Sequence, residues 1–166
     1  YANSSDTPPA SVELLWYFVD GNAGGQGFGS SFFVTDVMTV NITATNDDPT
    51  NAGSLPSDIT VTEEVSSNVD LSQIDLSDAD HGGGDLTLTL TTSTGGNLSA
   101  SSGGGVTIGG NGTGTLSLTG TLADLNTYLD TASNIKYLHS TSDQAGDNAD
   151  TITVVVNDNG NTGTGG

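Results

Sequence analysis

Apolar and polar residues alternate with a period of two along much of this chain, and the runs are separated by Gly, Asn and Asp. From Phe32 to Thr45, Val34, Asp36, Met38, Val40, Ile42 and Ala44 share one parity. Asp58–Val65 (DITVTEEV) and Asp85–Thr91 (DLTLTLT) alternate in the same way, with Leu86, Leu88 and Leu90 directed to one side. Successive strand residues face opposite sides of a sheet, so this pattern predicts strands with one apolar face. Val12–Val19 (VELLWYFV) is denser in apolar residues and reads as a core strand, with Trp16 and Phe18 sharing a buried face. Further strands are expected at Asn97–Ala100, Gly105–Ile108, Thr113–Thr119, Asn134–Leu138 and Asp150–Val156. One segment has the helical period instead. Leu122, Leu125 and Leu129 fall on one face, and Thr121 precedes them as an N-cap. The expected fold is all-β, a Greek-key β-sandwich of immunoglobulin or cadherin-like type with one short helix plugging an end.

The two ends of the chain resemble each other. Residues 1–29 and 137–165 each hold a Tyr, a loop with Ser and Asp, a strand, and an Asp-Gly-Asn or Asp-Asn-Gly turn running into Gly-rich sequence. The strand-ending Asp20 and Asp158 stand 138 positions apart. The chain therefore reads as a window on a tandem array. Residues 1–50 are expected to be the C-terminal part of a preceding repeat or a donor-strand arm. Residues 51–166 are expected to form a sandwich repeat lacking its last strand, because nothing after Gly165 corresponds to Phe32–Thr45. A sandwich without that strand exposes an unpaired edge. Phe32, Val34, Met38, Val40 and Ile42 are the candidate donor-strand residues that would fill it, within the chain or in a neighbour.

Charge narrows the function classes. The 166 residues carry 20 acidic side chains against one base, Lys136, for a net charge of −19. Such a chain repels nucleic acid and anionic membrane surfaces. With 33% hydrophobic residues placed in strand patterns, it is nevertheless expected to fold. It has no cysteine, which leaves no disulfide and no thiolate metal site. No apolar run reaches membrane-spanning length, so no membrane insertion is expected. Tyr1 reads as a fragment start or a processed end.

Cations near the carboxylates would relieve the charge. Acidic residues gather at Asn46-Asp47-Asp48-Pro49, at Glu63-Glu64, and along Asp75–Asp85. Asp78 and Asp80 are two apart, so on extended backbone they point the same way, and Gly82–Gly84 let the chain fold back. Calcium takes six to eight oxygen ligands, and these clusters supply carboxylates and carbonyls. The candidate calcium ligands are Asp47, Asp48, Glu63, Glu64, Asp78 and Asp80. The Asp20-Gly21-Asn22 and Asp158-Asn159-Gly160 turns form without an ion and rank below them.

These segments resemble cadherin-like repeats, most closely those of very large bacterial adhesins exported by type I secretion. ATNDDPT is similar to the family's inter-repeat linker, and LSDADHGGGD to its Asp-x-Asp-x-Gly element. Glu63-Glu64 takes the place of its base glutamate. VNDNGNTG and SLTGTLADLNTYL are also similar to the bacterial repeats, and the likeness covers about residues 40–160. It implies an immunoglobulin-like sandwich, calcium at domain junctions, and a role in adhesion or in extending a ligand-binding tip. The chain lacks a Leu-Asp-Arg-Glu element, which tells against a full three-ion junction.

Enzymatic signatures are missing. The only histidines are His81 and His139, and there is no Gly-x-Ser-x-Gly elbow or phosphate loop. The expected function is structural: an extracellular spacer or adhesion module, not an enzyme, rigidified by calcium. Its expected partners are neighbouring repeats or subunits of the same protein. The rivals are a filament subunit joined by strand exchange and a module that binds a cell-surface glycan or protein through the loop near Gly103–Gly112.

Overall fold

The computed structural model describes residues 5–19, 33–56, 58–139, 146 and 149–160, with Phe33 described by its backbone alone. The chain divides into two compact units, Tyr1–Ala44 and Thr45–Gly166. The division falls a few residues ahead of residue 50, because Thr50 already belongs to a sheet of the second unit.

The first unit is a two-stranded antiparallel ribbon. β1 (Ser11–Val19) pairs with β2 (Phe33–Asn41) without a slip, from Ser11 opposite Asn41 to Val19 opposite Phe33. A further hydrogen bond from Ile42 N–H to the Ala10 carbonyl (2.9 Å) extends the ribbon. Opposite residues share a face. Leu14, Trp16, Phe18, Val34 and Met38 therefore lie on one face, and Leu15, Tyr17, Val19 and Val37 on the other. Trp16 and Phe18 stack with ring centroids 6.2 Å apart. They remain 49% and 62% exposed, so the expected core burial of this pair is not met. A two-stranded sheet has no second layer to cover either face. The predicted donor residue Phe32 and the Asp20-Gly21-Asn22 turn lie outside the described residues.

The second unit is a sandwich. Its remaining strands are β3 (Thr50–Asn51), β4 (Ser67–Asn68), β5 (Leu76–Ser77), β6 (Asp85–Thr92), β7 (Asn97–Ala100), β8 (Thr107–Gly109), β9 (Thr115–Thr121), β10 (Ile135–Leu138) and β11 (Ile152–Asn157), with helix α1 (Leu122–Leu129) between β9 and β10. One sheet has the order β4-β10-β7 and the other β11-β6-β9-β8, while β3 and β5 form a short separate pair. The alternation does what it predicts. Leu86, Leu88 and Leu90 of β6 and Leu116 and Leu118 of β9 are fully buried, against Leu98 of β7 and Ile135 and Tyr137 of β10. Among the described residues no helix is long and apolar enough to cross a membrane.

Helix α1 forms where its cap and period place it. The Thr121 hydroxyl accepts from the Asp124 N–H (3.2 Å) and donates to the Asp124 carboxylate (2.7 Å), so each residue fixes the other. Leu125, Tyr128 and Leu129 turn into the core. The predicted strand Asp58–Val65 does not form. Residues 58–62 join no sheet, and Glu63-Glu64 lie in a turn with Glu64 at φ 57°. Alternation alone builds a strand only where another strand offers its edge.

Candidate metal centre

Three buried carboxylates gather at one pole of the sandwich. Asp78 follows β5, Asp80 follows it by two, and Asp158 ends β11; they are 8%, 1% and 1% exposed. The backbone around them is tied down. In α1, Asn126 pairs its side-chain amide with both backbone groups of Leu76 (2.9 Å each), as a neighbouring strand would. Thr50 reaches the Ser77 carbonyl from β3 (3.2 Å). The loop then turns back through Gly82 and Gly83, whose φ values of 59° and 82° suit glycine. It is closed by the Gly84 N–H on the His81 carbonyl (2.9 Å). Across the pole, the Asn159 side chain donates to the Asp85 carbonyl (2.9 Å), which sets Asp158 beside the start of β6.

The cluster extends to the first residues of the second unit. The Asp47 N–H faces the Asp80 carboxylate at 3.3 and 3.4 Å from its two oxygens. The Asp80 N–H donates to Asp78 (3.1 Å), and the Gly160 N–H to Asp158 (3.2 Å). Asp78 Oδ2 and both polar atoms of the Asn46 side chain are buried without a hydrogen-bond partner. A buried polar atom in that state is costly, and such atoms ordinarily find a water or an ion.

Electrostatics agrees with the geometry. Burial pushes the Asp78 carboxyl above the ordinary carboxylate range, the Asp80 N–H pulls it partly back, and the charges of Asp80 and Asp158 push it up again. Lys136, the chain's one base, lies on β10 opposite Asn68 and Ser99. No lysine or arginine is therefore on hand to neutralise the pole. Among the described residues no three His, Asp or Glu side chains are drawn tightly enough to hold a metal by themselves. Calcium takes amide and backbone oxygens as well as carboxylates. The groups gathered here are hard oxygen donors, the class that magnesium, calcium and manganese take, and not the nitrogen and sulfur donors of zinc or copper sites.

Not every residue expected at the site is there. Asp47 reaches it through its backbone, and Asp48 is exposed one position on. Glu63 and Glu64 are at the other end of the sandwich. The Glu64 N–H bonds the His139 carbonyl (2.9 Å), and His139 Nε2 lies 3.4 Å from the Thr94 carbonyl, beyond the end of β6 away from Asp85. The length of β6 separates them from Asp78, ~25 Å at strand rise. The strand Asp58–Val65 expected to carry them does not form, and the chain runs away from the acidic pole before reaching them. Conversely, Asp158 belongs to the cluster, although its Asp-Asn-Gly sequence reads as an ordinary turn. Its one distinguishing signal is position, at the end of β11, where Asn157 stands opposite Thr87 near the start of β6.

A second carboxylate is structural. The Asp150 side chain accepts from the Tyr137 hydroxyl (2.8 Å), the Ser93 N–H and hydroxyl (2.9 and 2.8 Å), and the backbone of Thr94 (2.9 Å), Gly96 (3.3 Å) and Thr151 (2.7 Å). Burial pushes its carboxyl up, but these donors outweigh burial and hold it well below the usual range. It fastens the Ser93–Gly96 turn to the start of β11.

Comparison with known proteins returns no matching family model, no matching curated protein and no matching solved structure.

Proposed function

We propose that this chain is a calcium-stiffened structural module of an extracellular, adhesive or spacer protein, and not an enzyme. One observation carries the reading: Asp78, Asp80 and Asp158 are buried at one pole, with Asp78 Oδ2 lacking a hydrogen-bond partner and the equally unpartnered Asn46 amide next in sequence to Asp47, whose N–H faces Asp80. Burying three like charges is unfavourable unless something compensates. Calcium held by Asp78, Asp80 and Asp158, with the Asn46 amide oxygen, supplies that compensation. The ion also fastens residues 46–47, at the start of the second unit, to the Asp78–Asp85 loop. That segment then enters the sandwich in one fixed direction, as a load-bearing module in a series requires. A net charge of −19 adds solubility and repulsion between fibres in a calcium-rich medium.

Isothermal titration of the metal-free chain with calcium tests the proposal. Saturable binding is expected, weakened at least tenfold in Asp80→Asn and unaffected by substitution of an exposed acid such as Asp70. Absence of heat, or equal weakening by both substitutions, rejects the site.

A further inference from the structure

Asn111 and Asn159 are each followed by a glycine. An Asn-Gly step carries its own chemistry. The glycine nitrogen can close on the asparagine side-chain carbonyl, because glycine has no Cβ to obstruct the approach and reaches backbone angles that other residues avoid. The fold treats the two steps differently. At Asn111 both reacting groups are committed to β7. The Asn111 side-chain oxygen accepts from the Ala100 N–H (2.8 Å). The Gly112 N–H donates to the carbonyl of Leu98 (2.8 Å), a residue that is 0% exposed. Ring closure there would break both bonds and pull the turn away from a core strand.

At Asn159 the turn itself supplies a proton acceptor. The Gly160 N–H points at the Asp158 carboxylate, 3.2 Å away, and that carboxylate is buried. Asn159 is exposed and sits at φ 60°, a left-handed conformation that asparagine holds at some cost, so little is lost on leaving it. Its Nδ2, the nitrogen that would leave, donates to the Asp85 carbonyl at the start of β6 (2.9 Å).

We infer that Asn159 is a modification site of the folded chain, deamidated through Gly160 with Asp158 as the proton acceptor, and that Asn111 is protected. The Gly160 nitrogen bonds to Asn159 Cγ as its proton passes to Asp158. The Cγ–Nδ2 bond then breaks, and Nδ2 leaves as ammonia with the proton that Asp158 returns to it. Water opens the resulting succinimide at either carbonyl, giving aspartate or isoaspartate. The product changes the turn that closes β11. An acid oxygen replaces the amide that donates to the Asp85 carbonyl, so the tie between this turn and β6 is lost. Its charge falls next in sequence to Asp158, at the pole that already buries three carboxylates. Conversion therefore loosens this end of the sandwich once and irreversibly, and it does not depend on the calcium reading.

Peptide mapping by mass spectrometry tests it, on the full chain aged at neutral pH in chelator. Asn159 is expected to convert while Asn111 lags ~tenfold or more, since two hydrogen bonds to a buried strand hold Asn111 in place. In denaturant the two rates should converge, because the difference is made by the fold. Asp158→Asn keeps the shape of the side chain and removes the proton acceptor. It should slow Asn159 by ~tenfold and leave Asn111 as it was, which separates the lost acceptor from a general change in stability. Asn159→Asp, standing for the product, should melt below wild type. Equal rates at the two sites in the folded chain, a difference that persists in denaturant, or an Asn159 rate indifferent to Asp158→Asn would overturn the inference.

Discussion

Replacing Asp158 by asparagine separates the two charge states of the acidic pole, because the substitution should act with opposite sign with and without calcium. The side chain is 1% exposed, and asparagine keeps its shape and can still accept the Gly160 N–H. Without metal, burial is what chiefly raises the pKa of Asp78, and the charges of Asp80 and then of Asp158 add to it, so removing the Asp158 charge relieves some repulsion. Two unit charges ~6–10 Å apart at an effective dielectric constant of ~20 repel by ~1.7–2.8 kcal/mol. Allowing for the new amide donor, which needs a partner, the variant should gain ~1.5 kcal/mol in chelator. That is a rise of ~6 °C in Tm for a unit of this size. In calcium the same change removes a charged ligand. A hundredfold loss of affinity costs ~2.7 kcal/mol of linkage at saturation. The net is a deficit of ~1 kcal/mol, or ~4 °C below wild type. Differential scanning calorimetry of both proteins in both media reads this directly. A shift of the same sign in calcium and in chelator would refute the assignment of Asp158 to an ion-binding cluster.

The remaining expectations are narrower. Glu63→Gln with Glu64→Gln should leave calcium affinity within twofold of wild type by titration calorimetry, since both residues lie ~25 Å from Asp78; a tenfold loss would contradict the geometry. Asp150→Asn should cost ~2 kcal/mol at neutral pH, scaled for a half-buried carboxylate with charged hydrogen bonds. Because the folded pKa of Asp150 is depressed, its contribution is present above the ordinary value of 3.8 and is lost as pH falls below it. The variant's Tm should therefore decline less steeply than wild type's on acidification below pH ~4, and parallel curves would exclude the mechanism. Leu88→Ala, at a fully buried position on β6, should destabilise the second unit by ~3 kcal/mol in chemical denaturation, and a loss under 1 kcal/mol would show that the core relaxes around it.

What the sequence disclosed followed from local physics. Leu86, Leu88, Leu90, Leu116 and Leu118 alternate strictly, so their strands and inward faces were legible. So was α1, because Thr121 and Asp124 cap it within four residues. Asp58–Val65 alternates as well but meets no pairing edge, and its position is decided by neighbours far away in sequence. β3, β4 and β5 are two residues each and leave no period to read. That Asp78 and Asp80 share one pole was legible from their two-residue spacing beside three glycines. Glu63 and Glu64 were misplaced because spacing along a chain does not say which pole it reaches. Asp158 became visible only once β11 and β6 were seen to pair, which set their two ends side by side.

The central claim is that a divalent ion compensates buried like charge at the Asp78–Asp80–Asp158 pole, and melting the chain with and without calcium tests it most directly. At a calcium concentration a hundredfold above Kd, the second unit should gain ~2.7 kcal/mol, a rise of ~10 °C in Tm over the chelated protein. Sodium at matched ionic strength should give far less, since screening acts weakly on buried groups. A melting temperature that calcium and chelator leave unchanged, or that sodium raises equally, would contradict the account.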